Sequence, residues 1–210
     1  MPTTPRVHII DDDSAVRKLV ATLLTDQNIP IVEYPSAIDF VNRFDPYERG
    51  CVVVDQNMAG MTGRDLQCWL IENDVRLPVI FITGYPDVDT AVDALKAGAI
   101  DFIQKPIEMH RLLEVVDAAL QTEAIDYDLQ TQATSIDERL AQLTPAERDV
   151  MKGMVSGRTY KELAEDLNVS YKTVEARRAK VLQKMRAKNL SELIRLMLTH
   201  QNVTSGPSHS

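Results

Sequence analysis

The sequence predicts two folded parts: a doubly wound α/β sheet of five parallel strands, then an all-helical bundle of four helices. Three observations carry this expectation. Short apolar runs alternate with helically spaced segments from Val7 to Ala119, which is the pattern of a parallel sheet covered on both faces. Beyond Thr144 helix-start signals recur with no strand between them. The charge divides as well: the 210-residue chain has a net charge of −8, yet Met1 to Ile125 holds 10 Lys plus Arg against 20 Asp plus Glu. Between Arg158 and Lys188 the balance is 9 against 4. An acidic front and a basic late segment fit two domains, the second suited to a polyanion.

In order along the chain, Val7 to Ile10 forms a first strand ending in Asp11, Asp12 and Asp13. Asp13 reads as the cap of a helix whose apolar residues are Val16, Leu19, Val20, Leu23 and Leu24. Pro30 to Tyr34 is a second strand, and Ser36 with Asp39 opens a helix carrying Phe40, Val41 and Phe44. Cys51 to Val54 is a buried strand that stops at Asp55. Thr62 and Asp65 open the next helix, with Leu66, Trp69 and Leu70 on one face. Val79 to Ile82 ends in Thr83, and a helix with Val88, Val92 and Leu95 stops at Gly98. Ile100 to Gln104 ends at Lys105-Pro106 and precedes a helix with Leu112, Val115, Val116 and Ala119.

In an open α/β sheet the functional crevice lies outside the carboxyl ends of the strands. Here those ends deliver Asp11, Asp12, Asp55, Thr83 and Lys105. Two carboxylates about 4 Å apart repel by roughly 4 kcal/mol at an effective dielectric near 20, so such a crevice calls for cations. Lys105 supplies one positive charge. A hard divalent ion such as Mg²⁺, which takes oxygen ligands and keeps several waters, suits the rest. An Asp in that setting, beside a Lys and a Thr able to bind phosphate oxygens, can act as a nucleophile toward phosphorus.

From Arg6 to Gln121 this set of residues resembles the receiver domain of two-component response regulators, a flavodoxin-like fold. The resemblance implies that Asp55 accepts a phosphoryl group from a sensor histidine kinase. It implies Mg²⁺, or Mn²⁺, held by Asp12, Asp55 and the Asn57 carbonyl with help from Asp11. Thr83 and Lys105 would bind the phosphate, Phe102 would be the switch aromatic, and Lys105-Pro106 would be cis. Asn57 and Tyr85 stand where the family tunes water access. Ala59 departs from the usual Pro of that loop without removing a ligand.

From Ile107 through Thr144 there is no Gly or Pro, so the last receiver helix is expected to run past Gln121 as a helical linker over residues 122–140. Ser135 and Glu138 form a capping-box pattern, so a break or a new short helix is expected near Ser135. Thr144-Pro145-Ala146-Glu147 starts a helix that ends at Gly157. Thr159 and Glu162 open a second, ending near Asn168. Ser170 caps a third, from Tyr171 to about Lys188, with Val174, Val181 and Met185 facing inward. Asn189 and Glu192 open a fourth. Two helices joined by a short turn, the second rich in Lys and Arg, make a helix-turn-helix.

This second part resembles the LuxR-type DNA-binding domain, assigned to residues 141–200, and the whole chain resembles FixJ-like response regulators. The face presented to a major groove would carry Lys172, Thr173, Glu175, Ala176, Ala179, Lys180, Gln183 and Lys184, with its cations on phosphates rather than bases. Arg177 stands where the family often has His. The resemblance implies promoter DNA as partner and a homodimer on phosphorylation, with RNA polymerase a further candidate partner. Residues 201–210 are expected to form a flexible tail.

Other function classes fit less well. A Mg²⁺ phosphatase with a strand-end Asp nucleophile, resembling the haloacid-dehalogenase family, needs a second Asp two positions on, and Asn57 stands there. A nucleotide-binding module needs a glycine fingerprint after a strand, which is lacking. Cys51 and Cys68 have no metal-ligand spacing and read as small core hydrophobes of a reducing compartment. No apolar run nears the roughly 18 residues of a membrane span, and Met1 to Arg6 has no signal-peptide pattern. A cytoplasmic protein without membrane contact is expected.

Overall fold

Five parallel strands are hydrogen-bonded in the order β2-β1-β3-β4-β5, in a computed structural model that describes residues 4–84, 96 and 98–204. They are β1 (Arg6–Ile10), β2 (Ile31–Tyr34), β3 (Gly50–Asp55), β4 (Val79–Thr83) and β5 (Asp101–Gln104). Register pairs Val7 with Cys51, Val54 with Phe81 and Thr83 with Gln104. The strands therefore end together, and that alignment gathers Asp11, Asp55, Thr83 and Lys105 at one edge.

Side chains alternate across the sheet, and both faces are apolar. Val7, Ile9, Val53, Ile80, Ile82 and Ile103 face a core built with helices α1 (Ser14–Thr25) and α4 (Met109–Ala141). Ile10, Val52, Val54, Val79 and Phe81 face the opposite core, with α2 (Ala37–Arg43) and α3 (Gly63–Glu72). Burial on both faces is why these strands read as continuous hydrophobic runs. The starts of the helices follow local chemistry: Asp13 and Ser36 accept from backbone N–H groups at the first turns of α1 and α2, and Thr62 with Asp65 forms a capping box at α3. Gly63 lets α3 approach the sheet, since a Cβ there would lie 2.6 Å from the Asp55 carbonyl oxygen.

The chain divides into two units, Met1–Ile125 and Asp126–Ser210. In the first, Arg49 pairs with the buried carboxylate of Glu123 through bonds of 2.8 and 3.0 Å, tying the loop before β3 to α4. The second contains α5 (Pro145–Val155), α6 (Tyr160–Asp166), α7 (Tyr171–Met185) and α8 (Leu190–Thr204). Its core holds Val150, Met154, Leu163, Val174, Val181, Met185 and Leu193, joined by Ile136 of α4. Capping boxes at Thr144 and Thr159 start α5 and α6, and Ser170 caps α7. Asn168, at φ +49°, makes the turn between α6 and α7.

Several expectations are corrected. Helix α4 does not break near Ser135 but continues to Ala141. The Ser135 hydroxyl accepts from Arg139 four residues on, and Ile136 is buried in the helical core, so the helix runs through this stretch. Helix α7 ends at Met185 rather than near Lys188, because Arg186 takes a left-handed conformation at φ +53°. Helix α8 runs to Thr204, into the stretch expected to be a flexible tail. Cys68, read as a core residue, is exposed. Cys51 is buried, which pushes its thiol up to about 12. The helix expected around Val88, Val92 and Leu95, with Tyr85, lies outside the described residues.

Candidate functional site

Strand β1 ends against Asp11 and strand β3 ends in Asp55, both nearly free of solvent contact at 2 % and 5 % exposure. The Lys105 ammonium donates to Asp55 Oδ1 at 2.6 Å and to Asp11 Oδ2 at 3.0 Å. Each carboxylate has a backbone partner too. The Asn57 N–H donates to Asp55 Oδ2 at 2.8 Å, and the Asp13 N–H donates to Asp11 Oδ1 at 2.8 Å. Removing one member of such a set leaves a buried charge without its counterpart, which costs about 3–5 kcal/mol.

Burial pushes the Asp11 carboxyl above the usual carboxylate range, while the Asp13 N–H and the Lys105 ammonium hold part of that shift back. Burial alone would lower Lys105. The hydrogen bonds to Asp55 and Asp11 outweigh it and keep Lys105 more basic than a free lysine. A firmly charged ammonium thus bridges two buried carboxylates, and a group bound at Asp55 would have to share or displace it.

Thr83 is buried at the end of β4, its carbonyl accepting from the Lys105 N–H at 2.8 Å. Lys105-Pro106 is a cis peptide bond, as the family resemblance implies. Phe102 on β5 is half-buried and stacks on Phe81 of β4 with ring centroids 5.0 Å apart. Asp12 is exposed at the same edge, and no three His, Cys, Asp or Glu among the described residues are grouped closely enough to hold a metal by themselves. Sequence reading missed Arg17, whose guanidinium donates to the Asp11 carbonyl at 2.6 Å. No residue pattern signals a side chain that binds backbone from the next helix.

In the helical unit, α7 exposes Lys172, Glu175, Ala176, Ala179, Lys180 and Gln183, opposite the buried Val174, Val181 and Met185. Thr173 is half-buried at the helix start, where its N–H donates to the Ser170 hydroxyl and its own hydroxyl lies 2.8 Å from it. Lys184 is engaged elsewhere: its ammonium donates to Glu147 Oε2 at 2.6 Å and to the Gln142 carbonyl at 3.1 Å. Arg178 lies over the Tyr160 ring at 5.6 Å from the centroid.

A family model for the response regulator receiver domain matches residues 7–117. Another, for bacterial regulatory proteins of the luxR family, matches residues 141–197. The chain is similar to the transcriptional regulatory protein FixJ of Azorhizobium caulinodans, 38% identical over 198 residues that cover 94% of either chain. It is 39% identical over 193 residues to that of Rhizobium meliloti, covering 91% of this chain and 94% of the relative. Among solved structures, the response regulator StyR shares 31% identity at a TM-score of 0.84, over 93% of this chain and 99% of that one. Full-length FixJ from B. japonicum shares 33% identity at a TM-score of 0.56, over 94% and 98%.

Proposed function

Since the chain belongs to the FixJ-like response regulators, which pair a receiver domain with a LuxR-type DNA-binding domain and act as phosphorylated transcription regulators, we propose that Asp55 is its phosphoacceptor. The observation that carries this reading is the single ammonium of Lys105 within 3.0 Å of both Asp11 and Asp55. A receiver implies a histidine kinase as partner, and the luxR-family domain implies DNA. A carboxylate oxygen of Asp55 attacks the phosphorus of the kinase phosphohistidine. The new P–O bond replaces the P–N bond, and the imidazole leaves. The Asn57 N–H, already on Asp55, orients the carboxylate. Lys105 and the Thr83 hydroxyl take the phosphoryl oxygens. The protein is not an enzyme on a foreign substrate; this transfer and the later hydrolysis act on itself.

Receiver domains generally bind Mg²⁺ at the phosphorylation site. The donor set here fits it: only oxygens, with Asp11 and Asp55 buried and Asp12 exposed beside them, and too few carboxylates for a full cage, as suits an ion that keeps waters and phosphate oxygens. Asp11, Asp12, Asp55 and the Asn57 carbonyl would hold Mg²⁺ or Mn²⁺, which supplies charge neutralisation for the transferring phosphoryl group. Phosphate capture then favours an active state with Phe102 and Thr83 rearranged, followed by homodimerisation and promoter binding, with RNA polymerase a further partner. Among the described residues no helix is long and apolar enough to cross a membrane, in keeping with a regulator acting on DNA in the cytoplasm.

Incubation with a small acyl phosphate tests the assignment. The unaltered protein should gain one phosphoryl mass that is stable in acid and lost in base, and Asp55→Asn should gain none. An adduct of unchanged yield on Asp55→Asn would place the acceptor elsewhere.

A further inference from the structure

The last turns of α4 carry a contact that the helix-turn-helix signature does not require. Arg139 Nη1 donates to the Met185 carbonyl at 3.1 Å, and Nη2 donates to the Ser135 hydroxyl at 3.2 Å. Met185 is the last residue of α7. The final carbonyls of a helix have no intrahelical donors and carry its partial negative charge. At this end the Leu182 and Gln183 carbonyls accept from the Ala187 and Arg186 N–H groups at 2.9 and 3.1 Å. The Met185 carbonyl receives a guanidinium from another helix.

That guanidinium is firmly placed. Ala133 and Ile136, on the same stretch of α4, are 5 % and 2 % exposed. Asp137 pairs with His200 of α8 at 2.7 Å, and Arg148 of α5 donates to the Leu140 carbonyl at 2.9 Å. The segment thus contacts three helices of the bundle, and Arg139 is its contact with the end of α7. It lies before residue 141, where the luxR-family match begins.

We propose that Arg139 is a positioning residue for DNA binding: it caps the Met185 carbonyl at the end of α7 and so fixes the last turns of that helix, where Lys180 and Gln183 are exposed. The proposal rests on the reading of α7 as the helix that enters the groove. With the cap removed, the last two turns loosen and these side chains lose a fixed direction, although no group touching DNA is deleted.

The test uses full-length protein and a duplex selected from random sequence by the unaltered chain. Arg139→Ala should bind about three- to fivefold more weakly, the scale of a lost charge at a helix terminus. Its dependence on salt should be unchanged, and amide exchange should quicken at the end of α7. Arg139→Lys should recover most of the affinity. Lys180→Ala serves as the comparison and should lower the salt slope by about one. Unchanged affinity and exchange in Arg139→Ala overturn the proposal, as does a slope lowered by about one, which would make Arg139 a phosphate contact. If Lys180→Ala also leaves binding untouched, the assignment of α7 to the groove fails as well. Should Arg139→Ala not fold at the assay temperature, Arg139→Gln decides: weakened binding at constant slope supports positioning, and full affinity rejects it.

Discussion

Asp55, Thr83 and Lys105 were legible because each directly ends or follows an apolar run, and parallel strands in register bring such ends together. Lys105 was legible as the cation that holds the carboxylates, but their backbone partners were not. The Asn57 and Asp13 N–H groups reach Asp55 and Asp11 through turn geometry, and a backbone donor leaves no trace in residue identity. Cys68 was misplaced because the lack of a metal-ligand spacing does not say which face of its helix a cysteine occupies. His8, which drew no notice in the sequence, is fully buried beside Tyr34, Phe40 and Phe44. Burial, then the Arg6 charge, lowers its pKa from 6.5 to about 4, while Glu48 lies 3.8 Å from its Nε2. A histidine held neutral in the fold makes the unfolded chain bind more protons between those values. Its stabilising contribution is therefore complete above pH 6.5 and falls as pH drops toward 4, by about 3 kcal/mol at most. Urea unfolding of the receiver unit at pH 7 and pH 5 should show this loss, and His8→Phe should remove most of it. A loss of the same size in the variant would assign the effect to other groups.

Among the elements, most helix starts were readable, as were the ends of α5 at Gly157 and of α6 near Asn168, whereas the end of α7 and the course of α4 past Ser135 were not. Capping boxes at Thr62, Thr144 and Thr159 are formed by the residues that predicted them. The stop of α7 at Arg186 has no Gly or Pro to announce it, and the Ser135 pattern was overridden by the burial of Ile136. The same tertiary override explains Lys184, which sequence spacing assigned to DNA. Its ammonium holds Glu147, and the Glu147 carboxylate in turn accepts from the Thr144 N–H that starts α5. The Lys184 bond and then the Thr144 N–H lower the Glu147 pKa from 4.5 to about 2. A depressed carboxylate contributes stability that is present above about pH 4.5 and lost as pH falls toward 2. Lys184→Gln should therefore lower the melting temperature of the helical unit at pH 7 and shrink this acid dependence, with the salt slope of DNA binding unchanged. A slope reduced by about one at unchanged melting temperature would return Lys184 to the DNA face.

At the scale of the whole molecule, the acidic first part and the basic late segment separate two tasks, and phosphorylation has to connect them. The dimerisation proposed above would make that connection. One helical unit presents Lys172 and Lys180 from its exposed α7 face, and few phosphate contacts give weak, salt-sensitive binding. Two units joined through their receivers would bind a two-half-site duplex with the second event intramolecular, which raises avidity without a new contact. Both units then neutralise phosphates, so the slope of log affinity against log salt should approach twice its unphosphorylated value. Sedimentation should show monomers before an acyl phosphate is added and dimers after it. Asp55→Asn should do neither. Lys105→Ala should accept the phosphoryl group yet stay monomeric, because the ammonium that bridges Asp55 and Asp11 is the group that would engage a new phosphate and sense its arrival. A gain in affinity at constant slope and constant mass would show instead that phosphorylation acts within one chain, and dimerisation would be discarded as the connection.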